Sequence, residues 1–325
     1  MKPNPYPYIG HPAQICGVDQ VRLQGGKGDG MRLFEVHNAT GLRLTVSADR
    51  CADIARLSFK GDNFSYMSPC GFVSPAFYDK EGTGFLKSFT GGFLTTCGLA
   101  AVGSPSIDEG ETLPLHGTIA NIPAEHIYWE ENDSEIIIHA IVRDCAIFAR
   151  KLVLKRTITV SKYESKLKLS DTIVNEGDTE SPLMVLYHMN MGYPLLSENS
   201  ELKINSVKVT PRDARAAEGI DTWNRMLPPT PGFAEQCYYH TFEGSASVSL
   251  YNPDIRKGLE ISFDSAVLDH FIEWKMMGVH DYVLGLEPAI CYVEGRDKAR
   301  ALGDLRHISP GEEVTLSLEV NFFES

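Results

Sequence analysis

Two neighbouring stretches of this chain alternate apolar and polar residues over much of their length with a period of two. One is Lys151-Leu152-Val153-Leu154-Lys155-Arg156-Thr157-Ile158-Thr159-Val160, the other Lys166-Leu167-Lys168-Leu169-Ser170-Asp171-Thr172-Ile173-Val174. Ser161-Lys162-Tyr163-Glu164-Ser165 joins them. A period of two sends successive side chains to opposite faces of an extended backbone, and a short polar connection folds the chain back on itself. The pattern therefore predicts an antiparallel hairpin with one face toward a core. Similar segments follow at Glu135 to Arg143, Ala246 to Tyr251, Gly258 to Phe263 and Val314 to Phe322, and precede it at Met31 to Val36 and Leu42 to Val46. Helical periodicity is scarce. Ser68 to Gly110 and Thr210 to Gln236, rich in Gly, Pro and Thr, read as long irregular segments of the kind that carry function in a compact domain. An all-β chain built as one large antiparallel β-sandwich with elaborate loops is the expected architecture.

The composition agrees with a core of that size. The chain has 325 residues, 43% of them hydrophobic, and a formal net charge of −13. Large all-β units of this length often form one domain. The acidic balance argues against non-specific nucleic-acid binding and against an anionic membrane surface. Seven cysteines are scattered without a Cys-x-x-Cys pair. This reads as free, mostly buried thiols in a reducing compartment rather than a disulfide framework or a thiolate zinc site. Met1 to Gly10 carries prolines and tyrosines but no apolar signal core, and no stretch is apolar for long enough to cross a bilayer. A cytoplasmic location is expected.

Gly26-Lys27-Gly28-Asp29-Gly30 has neither P-loop nor dinucleotide spacing and reads as a strand-connecting turn. Gly-x-Ser-x-Gly and His-Glu-x-x-His are both absent from the sequence. The histidine spacing suggests no metal site, and neither metal nor cofactor is expected.

The stronger candidates are polar residues set in apolar strands. His188 lies in Leu186-Tyr187-His188-Met189-Asn190-Met191-Gly192-Tyr193-Pro194. An imidazole at a strand end can exchange protons near neutral pH, or it can be a core histidine bonded to a carbonyl. Glu287 closes Tyr282-Val283-Leu284-Gly285-Leu286-Glu287-Pro288, a costly place for a charge unless it is paired or its pKa is raised. His116-Gly117 puts a polar side chain beside unobstructed backbone. Trp274 and Lys275 could stack on and hydrogen-bond a sugar ring, or belong to a core and a solvated face. Arg50 and Asp53 read either as ligand contacts or as a surface salt bridge. Glu235 and His240 sit with aromatic residues where a loop enters a strand.

In order along the chain, six pieces resemble the aldose 1-epimerase (galactose mutarotase-like) superfamily. They are Asp49 to Ala55, Thr90 to Leu99, Leu115 to Ala124, Tyr187 to Leu196, Pro231 to His240, and Trp274 through Pro288. The resemblance is strongest to the divergent branch catalogued as a domain of unknown function (DUF4432-like). It implies a galactose mutarotase-like supersandwich over residues 1–325 with an N-terminal strand extension. It also implies a small-molecule sugar as partner, with a homodimer left open. By motif, His188 resembles the family's catalytic histidine with Asn190 beside it, Glu287 its catalytic glutamate, and His116 its sugar-binding histidine. The Gly-Arg-x-x-Asn-Arg segment that supplies a sugar-binding arginine in typical members is absent; Gly91 to Gly98 stands in its place. The usual substrate aspartate has no clear match, and Glu235 or His240 could replace it. The implied reaction is anomer interconversion, with Glu287 taking the anomeric hydroxyl proton and His188 protonating the ring oxygen. A sugar isomerase, lyase or hydrolase on the same fold, or a carbohydrate-binding protein without turnover, remains the alternative.

Overall fold

The computed structural model describes residues 6–325, so the first five residues of the Met1 to Gly10 stretch lie outside the described residues. Strands are numbered here in chain order. The alternating hairpin read from the sequence is β13 (Lys151–Ser161) and β14 (Lys166–Asn175), at the centre of an eight-stranded sheet. Its order is β11-β12-β13-β14-β24-β20-β19-β16. The other members are β11 (His126–Glu131), β12 (Glu135–Cys145), β16 (Glu201–Ile204), β19 (Ser245–Asn252), β20 (Lys257–Asp264) and β24 (Glu313–Glu324). A second sheet runs β17-β18-β21-β22-β15-β23, from β17 (Lys208–Pro211), β18 (Gln236–Thr241), β21 (His270–Met277), β22 (Tyr282–Ala289), β15 (Ser181–Met191) and β23 (Arg306–Ile308). It gains β8 (Leu94–Leu99), which pairs with β15. A third sheet holds β1 (Gly17–Arg22), β2 (Arg32–His37), β3 (Leu42–Ser47), β4 (Asp53–Phe59) and β5 (Asp62–Asn63). Two short ladders, β6 (Tyr66–Met67) with β7 (Gly91–Gly92) and β9 (Ser106–Asp108) with β10 (Glu111–Leu113), complete the strands. Every strand-to-strand pairing in these sheets is antiparallel. The helices are α1 (Ala214–Ala217) and α2 (Arg296–Leu302), together with single 3₁₀ turns, and no helix among the described residues is long and apolar enough to cross a membrane.

Alternation places the core. On β12, Ile136, Ile138, Ala140 and Val142 face inward; on β15, Val185, Tyr187, Met189 and Met191 do so from the opposing sheet. The intervening residues of β15 point the other way, where Met184 and Leu186 join Ile272, Ala289 and Cys237 in a second apolar cluster. The chain thus buries both faces of β15, as the unbroken burial from Leu183 to Met191 requires. Gly26 to Gly30 connects β1 to β2, as its turn composition predicts. All seven cysteines are free, five of them buried. Thr210 to Gln236 is irregular as expected apart from its first strand residues, the single turn α1 and a 3₁₀ turn.

Ser68 to Gly110 departs from expectation. It contains β8, all six of whose residues are buried. A strand covered on both faces loses the alternation that would announce it, and Thr95-Thr96-Cys97-Gly98 carries little apolar signal.

Two core-facing positions of the β13–β14 hairpin carry charge. In the series Leu152, Leu154, Arg156, Ile158, Val160 on β13, Arg156 is 1% exposed; opposite it, within Leu167, Leu169, Asp171, Ile173 on β14, Asp171 is 0% exposed. The guanidinium grips Asp171 through two bonds of 2.9 and 2.7 Å and reaches Asp53 Oδ1 at 2.6 Å and Thr96 Oγ1 at 2.7 Å. Tyr187 donates its hydroxyl to Asp171 at 3.0 Å. One arginine therefore ties β4, β8, β14 and, through Asp171, β15 to β13. Removing one partner of such a buried group leaves uncompensated charge, so Arg156→Met should cost about 3–5 kcal/mol in denaturant unfolding. Tyr187→Phe, which removes one hydrogen bond to a charged acceptor, should cost about 1.5–3 kcal/mol.

Candidate active site

Strand register brings the two titratable candidates together. Met189 pairs with Leu286 and Leu186 with Ala289, so His188 on β15 stands directly opposite Glu287 on β22. Since Tyr187 and Met189 point into the sandwich, His188 points away from it, onto the outer face of the sheet. His188 Nδ1 lies 3.1 Å from Glu287 Oε1, with the two side chains 7% and 2% exposed. The two atoms touch without an aligned hydrogen bond, to each other or to any other group. Burial pushes the His188 imidazole well below its usual range, with His116 adding to the shift and Asn190 opposing it. Burial likewise pushes the Glu287 carboxyl well above its usual range; Glu235 adds to this and Arg212 opposes it. Burial thus disfavours charge on either group and favours a neutral imidazole against a protonated carboxyl, two forms that together carry one transferable proton.

A pocket of about 260 Å³ opens over these groups. Its size suits a single small ring more than an extended chain. Around His188 stand Trp274 at 5.2 Å between ring centroids, Phe89 at 5.3 Å and His116 at 5.5 Å, with Phe85 5.3 Å from His116. One side of the pocket is polar. Glu235 accepts from the Trp274 indole N–H at 2.7 Å and from Arg212 at 3.0 Å, and Arg212 also reaches Asp213 at 3.2 Å. Phe85, Phe89 and Leu115 pack together as one apolar wall with Leu86 beside them, and Cys237, Ile272 and Val293 line the pocket from the cluster that holds Trp274.

His116 enters from the loop after β10 with its backbone in the left-handed region, φ 59°. Its amide donates to the Gly103 carbonyl at 2.9 Å and its carbonyl accepts from Gly98 at 3.1 Å. A side chain at Gly117 would meet the carbonyls of Ala101 and Gly98 at 2.4 Å. The glycine therefore serves close packing against β8 rather than ligand approach, and that packing holds His116 in place. Burial lowers the His116 pKa to about 4, with Glu235 opposing the shift.

Of the residues singled out in the sequence, the structure gathers His188, Glu287, His116, Glu235 and Trp274 at this pocket. It sends the others elsewhere. Asn190 points outward beside His188 but is fully buried, donating to the carbonyls of His188 at 2.8 Å and Gly91 at 3.3 Å. Arg50 donates to the Val73 carbonyl at 3.0 Å, and Asp53 belongs to the Arg156 network, so the two form neither a surface salt bridge nor part of this pocket. His240 and Lys275 fall on the opposite face of the sheet from Trp274, because strand neighbours alternate. His240 pairs with Glu273 at 3.2 Å and Ser206 at 3.0 Å, and Lys275 donates to backbone carbonyls at Thr222, Trp223 and Arg225. Arg212, Phe85 and Phe89 are pocket residues that the sequence reading passed over. They sit in the two segments read as irregular, where no periodicity marks which way a side chain points. Among the described residues no group of three His, Cys, Asp or Glu side chains is placed to hold a metal ion.

The profile of a domain of unknown function, DUF4432, matches residues 28–322. No curated protein matches the chain. Among solved structures, a Klebsiella pneumoniae protein provisionally named an aldose 1-epimerase superposes with a TM-score of 0.90 at 26% identity, over 95% of this chain and 83% of its own. A galactose mutarotase-like protein of Clostridium acetobutylicum (TM-score 0.68, 13% identity) aligns over 96% of this chain and 100% of its own. A galactose 1-epimerase of Lactobacillus acidophilus (TM-score 0.65, 14% identity) aligns over 95% and 99%. The last two likenesses establish the β-sandwich fold alone.

The His116 environment makes stability depend on pH. Its folded-state pKa of about 4 lies below the unfolded value near 6.5, so the unfolded chain takes up the proton first as pH falls. The stability this residue contributes is complete above pH 6.5 and is lost on descending toward pH 4. Between pH 7.5 and 5 the loss should be about 2 kcal/mol. His116→Asn, which tolerates the left-handed backbone and cannot titrate, should show a fall smaller by that amount in urea unfolding at the two pH values.

Proposed function

The chain belongs to the DUF4432 family, and we propose that it is a carbohydrate-active enzyme of the aldose 1-epimerase type, interconverting sugar anomers by acid–base ring opening. The observation that carries this reading is the 3.1 Å cross-strand contact of His188 and Glu287 in a pocket that also offers an indole and a polar rim. The Klebsiella pneumoniae protein provisionally named an aldose 1-epimerase, 26% identical, supports the reaction class.

Ring opening removes the proton of the anomeric hydroxyl and adds one to the ring oxygen. Both oxygens are bonded to C1, so two side chains in contact with each other can serve them together. Only one proton is needed, and the pair holds one. Burial favours its resting on Glu287, whereas the family resemblance places it on His188; the two states differ by one transfer across the contact. A hydroxyl donating to Glu287 favours the ionised carboxylate, as Arg212 already does, and so moves the proton toward His188. Glu287 then accepts the anomeric proton while His188 protonates the ring oxygen and the C1–O5 bond breaks. Rotation about C1–C2 presents the other face of the aldehyde, and the two transfers run backward to close the ring. The proton count is unchanged after a full cycle, and Trp274 with the Arg212–Glu235 rim holds the sugar over the pair.

Each acid–base group contributes on the order of 10²–10⁴-fold. Glu287→Gln and His188→Asn should each lower kcat by about that factor on any accepted sugar, read by polarimetry or saturation-transfer NMR on freshly dissolved anomers. Glu287→Gln should leave the unfolding midpoint unchanged or raised, because the buried carboxyl is costly to the fold. A broad sugar panel without acceleration, or full activity in Glu287→Gln, overturns the assignment. Formation of a new sugar on long incubation would point instead to an isomerase.

A further inference from the structure

The two sides of the pocket differ in what they can satisfy, and this bears on which sugar fits. Arg212 is the only arginine or lysine among the described residues that line it. Its charge is already answered by Glu235 at 3.0 Å and Asp213 at 3.2 Å. A phosphate, sulfonate or uronate carboxylate would face two carboxylates and no free cation. Neighbouring hydroxyls suit the rim better: one can donate to Glu235 and the next accept from Arg212. The side chains of Phe85, Leu86, Phe89 and Leu115 offer neither donor nor acceptor; the polar atom beside them is His116 Nδ1, buried without a hydrogen-bond partner.

The position of His188 says which part of a sugar meets that apolar wall. If His188 serves the ring oxygen, the next ring atom, C5, and its exocyclic carbon lie among the groups packed round the imidazole. Trp274 on one side is tied to the polar rim. Phe89 on the other begins the apolar wall, with Phe85 5.2 Å beyond it. A primary hydroxyl turned toward Phe85, Leu86 and Phe89, away from His116, would lose its hydrogen bonds to water without replacement, whereas a methyl would gain from burial. We propose that the substrate is an uncharged 6-deoxyaldose, its methyl against Phe85, Leu86 and Phe89 and two of its ring hydroxyls on Arg212 and Glu235. This rests on the epimerase reading for the placement of the ring oxygen.

Matched pairs that differ only at C6 test it: D-fucose with D-galactose, 6-deoxy-D-glucose with D-glucose, and L-rhamnose with L-mannose. In the pair the enzyme accepts, kcat/KM for the deoxy member should exceed that of its parent by about 10- to 100-fold. Affinities for the same pairs, measured by calorimetry on Glu287→Gln, should favour the deoxy member by a similar factor. Leu86→Asn, at a position 57% exposed, should bring the ratio several-fold closer to one without lowering the melting temperature. A parent hexose handled as well as its deoxy partner overturns the proposal while leaving the epimerase reading intact. If no pair is turned over but the deoxy sugars bind more tightly, the reaction fails and the substrate class stands. The absence of binding by any member, or a preference for glucose 6-phosphate or a hexuronate, overturns the substrate class.

Discussion

The position of Arg156 governs much of this molecule. A guanidinium at the centre of a β-sandwich is expensive to desolvate, and it persists only because every direction around it is answered. Asp171 takes the two-pronged bond, Asp53 and Thr96 take the rest, and the Cys51 carbonyl accepts at 3.0 Å. Such a cluster tolerates little displacement, since a shift of one strand would strand a charge in an apolar core. Tyr187 belongs to the same cluster through Asp171. With Tyr187 committed inward, its neighbour must face outward, because a strand changes face at each residue. The outward placement of His188 is thus settled by a charge network on the other side of its own strand.

The site inherits its chemistry from that placement. His188 and Glu287 lie on regular strands with their register fixed, and both are nearly dry. Burial acts on them in opposite senses, lowering the imidazole and raising the carboxyl, so the resting pair avoids two unsolvated charges. Their contact is unaligned, and His188 Nδ1 and Glu287 Oε1 have no hydrogen-bond partner among the described residues.

Much of the fold was legible in the sequence because half-buried strands print their two faces as alternation: β13, β14, β19, β20 and β24 fall within two residues of their expected limits. β8 was not, because it is buried on both faces and built from small and hydroxylated residues. The alternation itself held one unread signal. Arg156 and Asp171 occupy apolar positions of their series, and two opposite charges breaking the same pattern on adjacent strands mark an internal ion pair. His188 and Glu287 stood out because polar groups in apolar strands are costly. His240 and Lys275 stood out for the same reason, but their partners, Glu273 and the carbonyls after Thr222, lie on the sheet's other face. Arg212, Phe85 and Phe89 come from segments without periodicity, where a side chain's direction is set by tertiary contacts alone.

The groups proposed to react and most of those proposed to recognise the sugar are carried by different kinds of backbone. His188 and Glu287 ride on paired strands locked by the ladder. Arg212 follows the last residue of the edge strand β17, Glu235 precedes the first residue of β18, and Phe85 and Leu86 belong to a single 3₁₀ turn. Substitutions, insertions and deletions accumulate most freely in such connecting segments. In this architecture a lineage can change the molecule it accepts by rewriting its loops while the proposed proton-transfer pair, held by an arginine elsewhere in the core, stays as it was.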